Sequence, residues 1–239
     1  MIPLKDTIPR WTFPVVTVAI IAVNSVLFLF EQMLPEDALN EVIYLFGLVP
    51  ARYSHPEWAV LAGLPLDTFW PFVTNMFLHG GWLHLIMNMW SLWIFGDNVE
   101  ERLGRVRFLL FYFLAGIAAN IVQFVVNSDA TVPVIGASGA IAGVMAAYLR
   151  LFPYARLLVV IPIIIIPYIV EIPAVFFIAF WFLMQLFSGA AALVVKSGEG
   201  IAWWAHVGGF AVGFWMVRPF CSRRLGGCRS DEFTRQAFR

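Results

Sequence analysis

The sequence predicts an all-α membrane protein, folded as a compact bundle of six transmembrane helices. Apolar residue types make up 61% of the 239 residues and charged types only 13%, whereas soluble domains average about 45–50% and about 25%. Uncharged runs close to the ~20 residues that a helix needs to cross a bilayer recur along the chain. The basic residues fall almost entirely on one side of the resulting topology, as in polytopic membrane proteins.

Five of the six predicted spans are uncharged apolar runs that can be read directly. They cover residues 13–30, 69–95, 108–126, 135–149 and 201–217. The remaining apolar stretch, 157–195, is divided by Glu171 and contains the helix breakers Pro162 and Pro167. We expect one span over 172–195, preceded by an apolar segment that lies in or near the membrane interface.

The distribution of Lys and Arg orients this bundle. Six spans put both termini on one side of the membrane, and thirteen of the 15 Lys and Arg residues fall on that side. Only Arg52 and Lys196 fall on the other. The positive-inside rule therefore predicts that both termini are cytoplasmic, whereas seven spans would spoil the asymmetry. The expected location is a bacterial plasma (inner) membrane.

The chain divides into three regions. Residues 1–12 are predicted to be a cytoplasmic N-terminus, 13–218 a membrane domain and 219–239 a cytoplasmic tail. Within the membrane domain, the outer loop 31–68 is too apolar in places for a flexible linker, so we expect a small subdomain on the membrane surface. The formal net charge of zero provides no field to recruit nucleic acid, and two cysteines are too few for a disulfide framework.

Few polar side chains fall inside the predicted spans, and each is a candidate functional residue because a polar group is costly in a membrane. His84 and Asn88 lie in the second span, Ser138 at the start of the fourth and His206 in the sixth. The topology puts all four in the outer half of the bilayer, where they could converge. His84 and Asn88 are four residues apart, so they share one helix face.

These residue types suit acyl transfer. A histidine can remove the proton of a serine hydroxyl and return it to the leaving amine. Ser138 is flanked by Gly136 and Gly139 at a predicted helix N-terminus, where free N–H groups can stabilise an oxyanion. His84 and Asn88 could add side-chain donors. No carboxylate lies at a comparable depth, so the sequence predicts a Ser–His dyad rather than a triad.

Small residues indicate how the dyad would be brought together. Gly209 and Gly213 form a G-x-x-x-G face on the sixth span, and the fourth span carries Gly139 and Gly143. Small residues let two membrane helices approach closely, so we expect the fourth and sixth spans to pack against each other. No metal site is expected, because two histidines without Cys or acidic partners at ligand spacing are insufficient.

Four segments of the sequence resemble the rhomboid intramembrane serine proteases. They are HGGWLHLIMN (79–88), VEERLG (99–104), GASG (136–139) and HVGG (206–209). The match runs from about residue 69 to about residue 216, in the order and spacing of the family. The resemblance implies a bundle of six core membrane helices whose partners are the lipid bilayer and transmembrane or membrane-anchored protein substrates.

The resemblance also implies roles for the candidate residues. Ser138 would be the nucleophile and His206 the general base. His84, Asn88 and the backbone N–H of Ser138 would form the oxyanion hole. No metal or organic cofactor is implied. Some members of the family stack an aromatic residue, four positions after the serine, on the catalytic histidine; Ala142 stands there in this sequence, so we expect helix packing alone to orient His206.

Two other interpretations stay open at this stage. The first is a non-proteolytic rhomboid relative that acts as a membrane scaffold; the presence of both Ser138 and His206 argues against it. The second is a transporter or channel, although the paired repeats and membrane charges of such proteins are not evident in the sequence. If the chain is a protease, the outer end of the fifth span and the loop 195–201 are candidate gates over its site.

Overall fold

The computed structural model describes residues 1–163, 166–195 and 202–221. Within these ranges the strands are β1 (Ile2–Asp6), β2 (Arg156–Ile163) and β3 (Ile166–Pro173). The helices are α1 (Val15–Glu31), α2 (Glu36–Phe46), α3 (Ala51–Ser54), α4 (Pro56–Leu61), α5 (Pro71–Thr74), α6 (Trp82–Leu103), α7 (Arg105–Val126), α8 (Ser138–Leu151), α9 (Ala174–Val195) and α10 (Trp203–Phe220). The predicted gate loop, beyond Val195, and the predicted tail, beyond Cys221, lie outside the described residues.

In the described part of the chain, the helices of 14 residues or more overlap the six apolar runs, with one large difference. Residues 69–81 were expected to be part of the second long helix. They form instead α5, a 3-10 turn (Asn75–Phe77) and a glycine pair. Gly81 has φ of 152°, a conformation that side-chain-bearing residues rarely adopt, so α6 begins only at Trp82. His84 therefore lies in the first turn of its helix and not near the middle.

The outer surface of the helices is apolar. The helices Arg105–Val126 and Ala174–Ala192 are long and apolar enough to cross a membrane by length and composition, and α1 and α8 are shorter apolar helices. Leu110, Phe176 and Phe187 are more than half exposed on α7 and α9. Apolar surface of this kind is unfavourable in water, so these faces are suited to contact with lipid. The fold is that of a mostly helical membrane protein.

Helix α8 lies at the centre of the bundle. Eleven of its 14 residues are buried, and α6, α7 and α10 all contact it. The closest approach is to α10, where a Cβ atom added to Gly209 or Gly213 would overlap the backbone of Gly139 or Gly143. Only glycine permits this separation. The four small residues therefore bring the beginnings of α8 and α10 together.

A three-stranded antiparallel sheet lies at the end of the bundle where α6 and α8 have their C-termini. Because its strand β1 comes from the N-terminus of the chain, we call this end of the bundle the N-terminal face. β1 pairs with β2, and β2 pairs with β3 from Arg156 opposite Pro173 to Ile163 opposite Ile166. The apolar segment that was expected to precede the fifth span is thus a β-hairpin that leads into α9. Its prolines oppose a helix, and its Val and Ile residues favour strands.

Carboxylates join the N-terminal face to the helices. Glu100 accepts hydrogen bonds from the backbone N–H groups of Val16 and Thr17 at 3.0 and 2.8 Å, at the beginning of α1. Such a carboxylate satisfies donors that a helix N-terminus leaves unpaired. Asp6 accepts hydrogen bonds from Tyr148 Oη at 2.6 Å and Asn98 Nδ2 at 2.9 Å. These contacts tie α1, α6, α8 and β1 into one unit.

The loop 31–68 forms an ordered substructure around Arg52, which is 1% exposed. Its guanidinium group donates to the carbonyl groups of Pro65 and Leu45, at 2.6 and 3.2 Å, and to the hydroxyl of Thr68. The loop reaches the segment that precedes α8 through Leu48, which exchanges two backbone hydrogen bonds with Val134. The loop therefore helps to position the chain that enters Ser138.

Candidate active site

Three helices begin at the same end of the bundle, which we call the Ser138 face. α6 contributes His84 in its first turn, α8 begins at Ser138, and α10 contributes His206 in its first turn. The N-terminus of a helix has unpaired N–H groups and a partial positive charge. Three such ends around one serine create a region that favours a developing negative charge.

Ser138 and His206 lie in direct contact, as the sequence predicts. The hydroxyl oxygen Oγ of Ser138 is 2.7 Å from Nε2 of His206, within the range of a good hydrogen bond. Both side chains are partly buried. Because Gly139 packs against Ala205 and Gly209, the two helices are close enough for this bond to form directly.

The second ring nitrogen of His206 has a partner that the sequence analysis missed. Nδ1 of His206 lies 2.6 Å from Oε1 of Gln185 on α9. The indole ring of Trp181, one turn earlier on α9, lies with its centroid 5.8 Å from that of His206. The expectation that helix packing alone orients His206, in the absence of an aromatic residue at Ala142, is therefore wrong: α9 supplies both a hydrogen bond and a ring. Gln185 could have been found, because it is an amide in an otherwise apolar span.

His84 and Asn88 lie against the turn that precedes Ser138. The left-handed conformation of Gly136, with φ of 117°, leaves room for them: a Cβ atom there would lie 2.6 Å from His84 Nε2 and 3.5 Å from Asn88 Nδ2. The N–H of Gly136 is held by the carbonyl of Asn75 at 2.8 Å. A glycine is thus required at position 136, where His84 and Asn88 contact the turn that precedes α8.

The hydrogen bonds of His84 identify which of its nitrogens can donate. Nδ1 accepts from the backbone N–H of Gly80 at 3.3 Å, so in the neutral ring Nε2 carries the proton. Nδ2 of Asn88 is buried and has no hydrogen-bond partner among the described residues. Two donors, His84 Nε2–H and Asn88 Nδ2–H, therefore lie beside Gly136, near the beginning of α8.

The backbone at the start of α8 adds further donors. The first backbone hydrogen bond of the helix runs from the N–H of Ile141 to the carbonyl of Ala137, so the N–H groups of Ser138 to Ala140 precede it. A cavity of about 10 Å³ lies beside Ser138, between Asn120 and Gly136. It is about the size needed for one water molecule.

His79 lies in the loop between the 3-10 turn and α6, and it is buried. Only 3% of it is exposed, and its ring lies 5.2 Å from that of His84, centroid to centroid. Its backbone N–H donates to the carboxylate of Glu31 at 3.3 Å. His79 therefore packs behind His84 rather than at the surface. Among the described residues, no group of three His, Cys, Asp or Glu side chains could hold a metal ion.

Comparison with known proteins identifies the family. A model described as the Rhomboid domain matches residues 66–223, a range that includes Ser138, His206, His84, Asn88 and Gln185. The chain belongs to the rhomboid family. It is 38% identical over 117 residues to a Bacillus subtilis protein named "Putative rhomboid protease YdcA", covering 47% of this chain and 58% of the relative.

Other rhomboid relatives come from organelles. The human presenilin-associated rhomboid-like protein, mitochondrial, is 30% identical over 190 residues, covering 75% of this chain and 46% of the relative. Rhomboid-like protein 11, chloroplastic, of Arabidopsis thaliana is 33% identical over 127 residues, covering 53% and 39%. The chain thus spans about half the length of these relatives. The relatives include bacterial, mitochondrial and chloroplast proteins, and only some are named as proteases.

Proposed function

We propose that this rhomboid is an intramembrane serine endopeptidase that cleaves transmembrane or membrane-anchored proteins near the outer membrane face. The observation that carries the proposal is the 2.7 Å contact between Ser138 Oγ and His206 Nε2. A serine hydroxyl paired with an imidazole nitrogen is an activated nucleophile. Donors from His84, Asn88 and the start of α8 lie on the adjacent side, where an oxyanion would form.

The proposed reaction has two steps. Ser138 Oγ attacks the scissile carbonyl carbon while its proton passes to His206 Nε2, and the negative charge on the carbonyl oxygen is held by His84, Asn88 and the backbone N–H of Ser138. The intermediate collapses to an acyl ester on Ser138 as His206 gives the proton to the departing amine. Water then loses a proton to His206 and attacks the ester; as the bond to Ser138 Oγ breaks and the acid product leaves, His206 returns that proton to Oγ and restores the hydroxyl.

The proposed topology has six membrane spans, α1, α6, α7, α8, α9 and α10. Both termini lie on the cytoplasmic side, with the loop 31–68 as a subdomain on the outer membrane surface. The charge asymmetry of the sequence supports this orientation, and a bacterial plasma membrane is the location we favour. A substrate helix would enter from the lipid, and it must unwind locally because a helical backbone is hydrogen-bonded internally.

The test is cleavage of a single-span substrate in proteoliposomes by the wild type, Ser138→Ala and His206→Ala, with the cut mapped by mass spectrometry. We expect removal of the nucleophile or the base to lower kcat by about 10⁴-fold or more, with a cut near the outer face. Labelling of the wild type by a fluorophosphonate, lost in Ser138→Ala, would identify the nucleophile independently of the substrate.

The same experiment separates the two alternatives. Wild-type protein that is folded but neither cleaves nor is labelled would favour a non-proteolytic rhomboid scaffold. Solute flux in proteoliposomes that survives Ser138→Ala would favour a transporter. Cleavage that persists in Ser138→Ala would contradict the role of this serine.

A further inference from the structure

We propose that Gln185 is a positioning residue of this site: its side-chain carbonyl accepts a hydrogen bond from Nδ1–H of His206 and so fixes the tautomer and the ring orientation of the base. The inference rests on the proposed function, since it assigns the residue that completes the proposed Ser–His dyad. It replaces a two-residue arrangement with a Ser138–His206–Gln185 chain, assembled from three different helices.

The proton inventory of the imidazole supports this assignment. A neutral histidine has one N–H and one bare nitrogen. To accept the proton of Ser138, Nε2 must be bare, so Nδ1 must carry the hydrogen. At 2.6 Å from that nitrogen, Gln185 Oε1 can accept the Nδ1–H bond; with the amide in this orientation, its N–H groups point away from Nδ1 and cannot stabilise the other tautomer. The partner on Nδ1 thus selects the tautomer in which His206 can act as a base.

The surroundings of Gln185 hold its amide in place. Its side chain is 8% exposed, although it belongs to a helix whose outer face is apolar. One turn earlier, Trp181 lies beside the same imidazole ring, and Phe182 stacks on Phe210 of α10 with ring centroids 4.4 Å apart. The contact between α9 and α10 is therefore a packed seam along which Gln185 and Trp181 both meet His206.

A neutral amide suits this position. In a serine protease of the triad type a buried carboxylate orients the histidine, but a charge within a membrane carries a large desolvation cost. The amide of Gln185 gives the same geometric constraint without that charge. Because Gln185 comes from α9, the orientation of the base depends on a helix that contributes neither the nucleophile nor the base.

The matched control for this proposal is Gln123 on α7. It is also a buried glutamine, and its Oε1 accepts from the backbone N–H of Ala205 at 3.1 Å, one residue before His206. Gln123→Met and Gln185→Met each remove a side-chain amide that contacts the first turn of α10. Only Gln185→Met removes the hydrogen-bond acceptor of the imidazole. Methionine has a similar length and is apolar.

The experiment measures kcat, KM and the rate of fluorophosphonate labelling for the full chain in proteoliposomes, per folded molecule. Gln185→Met should lower kcat and the labelling rate about tenfold, the loss of one hydrogen bond, with little change in KM. Gln123→Met should keep kcat within about twofold and lower only thermal stability. Gln185→Glu, which keeps an acceptor on Nδ1, should recover most of the activity.

The outcomes separate this proposal from the proposed function. If the wild type cleaves, Ser138→Ala does not, and Gln185→Met is as active as Gln123→Met, the positioning role is wrong and the protease assignment stands. Equal losses in the two methionine variants would make Gln185 merely structural, as would a folded Gln185→Glu that stays as slow as Gln185→Met. If Gln185→Glu does not fold, the two methionine variants decide. A wild type that is neither active nor labelled overturns the proposed function itself.

Discussion

The two ends of the bundle differ in how many of their buried polar atoms lack a hydrogen-bond partner. At the N-terminal face, carboxylates are paired: Asp6 with Tyr148 and Asn98, and Glu100 with the beginning of α1. Among the described residues, seven buried side-chain atoms have no hydrogen-bond partner. Five of the seven lie at the Ser138 face, in Glu31, His79, Asn88 and Trp204. The other two lie in Asn24 and Tyr112, within α1 and α7.

This difference suggests that the polar groups at the two ends have different roles: those of the N-terminal face stabilise the fold, and those of the Ser138 face are free to bind a substrate. A buried donor without a partner costs roughly 1–3 kcal/mol, so natural proteins keep few of them. α6 carries paired Asn98 near one end and unpaired Asn88 near the other. The N-terminal face fixes the far ends of α6 and α8, which allows the Ser138 face to hold donors in place before any substrate is bound. Such preorganised donors are what stabilise an oxyanion.

The two asparagines of α6 give the sharpest test of this comparison. Asn88→Ala should lower kcat by about 10²–10³-fold, as for other single oxyanion donors. It should not lower the free energy of unfolding, because the buried donor that it removes has no hydrogen-bond partner among the described residues. Asn98→Ala should leave kcat of the folded protein nearly unchanged, but lower the free energy of unfolding by about 1–3 kcal/mol, because it removes a hydrogen bond from the buried Asn98 to the half-buried carboxyl group of Asp6. The measurements are substrate cleavage and denaturation in detergent micelles.

Loss of activity and stability together in both variants would contradict the comparison. It would mean that the polar groups of α6 act as one structural network. A stable Asn88→Ala protein with full kcat would remove Asn88 from the oxyanion hole while leaving the Ser138–His206 pair in place.

The sequence predicts the residues that the structure brings together, but not everything that holds them. Ser138, His206, His84 and Asn88 stand out because each is a polar group in an apolar run, and order and depth place them at one end. Gln185 satisfies the same criterion, but no motif distinguishes it. The β-hairpin was missed because nearly all its residues are apolar, so the alternation of buried Leu157 and Val159 with partly exposed neighbours is invisible in the sequence.

The paired carboxyl group of Asp6 should make the stability of the protein depend on pH. Burial, opposed by the hydrogen bond from Tyr148 and reinforced by the negative charge of Asp97, raises the pKa of Asp6 from 3.8 to about 7. The folded state then holds this proton more tightly than the unfolded state, so the contribution of Asp6 to stability falls as pH rises from about 4 to about 7 and is constant outside that window. Thermal unfolding of wild type and Asp6→Asn across this range measures the effect.

In that series, the difference in stability between Asp6→Asn and the wild type should shift in favour of the variant as pH rises. Cleavage by the folded protein should show no matching change between the two proteins, because Asp6 is bonded to the far end of α8. A pH-independent stability difference would show that Asp6 stays ionised in the folded state, and that its contacts with Tyr148 and Asn98 are those of a charged carboxylate.

The smallest effect is expected from the exposed ion pair of the N-terminal face. Arg156 and Glu171 join β2 to β3 at 2.9 Å, but their side chains are 41% and 45% exposed, so water screens the attraction. Glu171→Gln should change the free energy of unfolding by less than about 1 kcal/mol, and high salt should abolish the difference. A loss as large as that of Asn98→Ala would mean that the hairpin, rather than the contacts of Asp6, holds the N-terminal face together. A small, salt-sensitive loss would assign that role to the contacts of Asp6, because they are better shielded from water than the ion pair is.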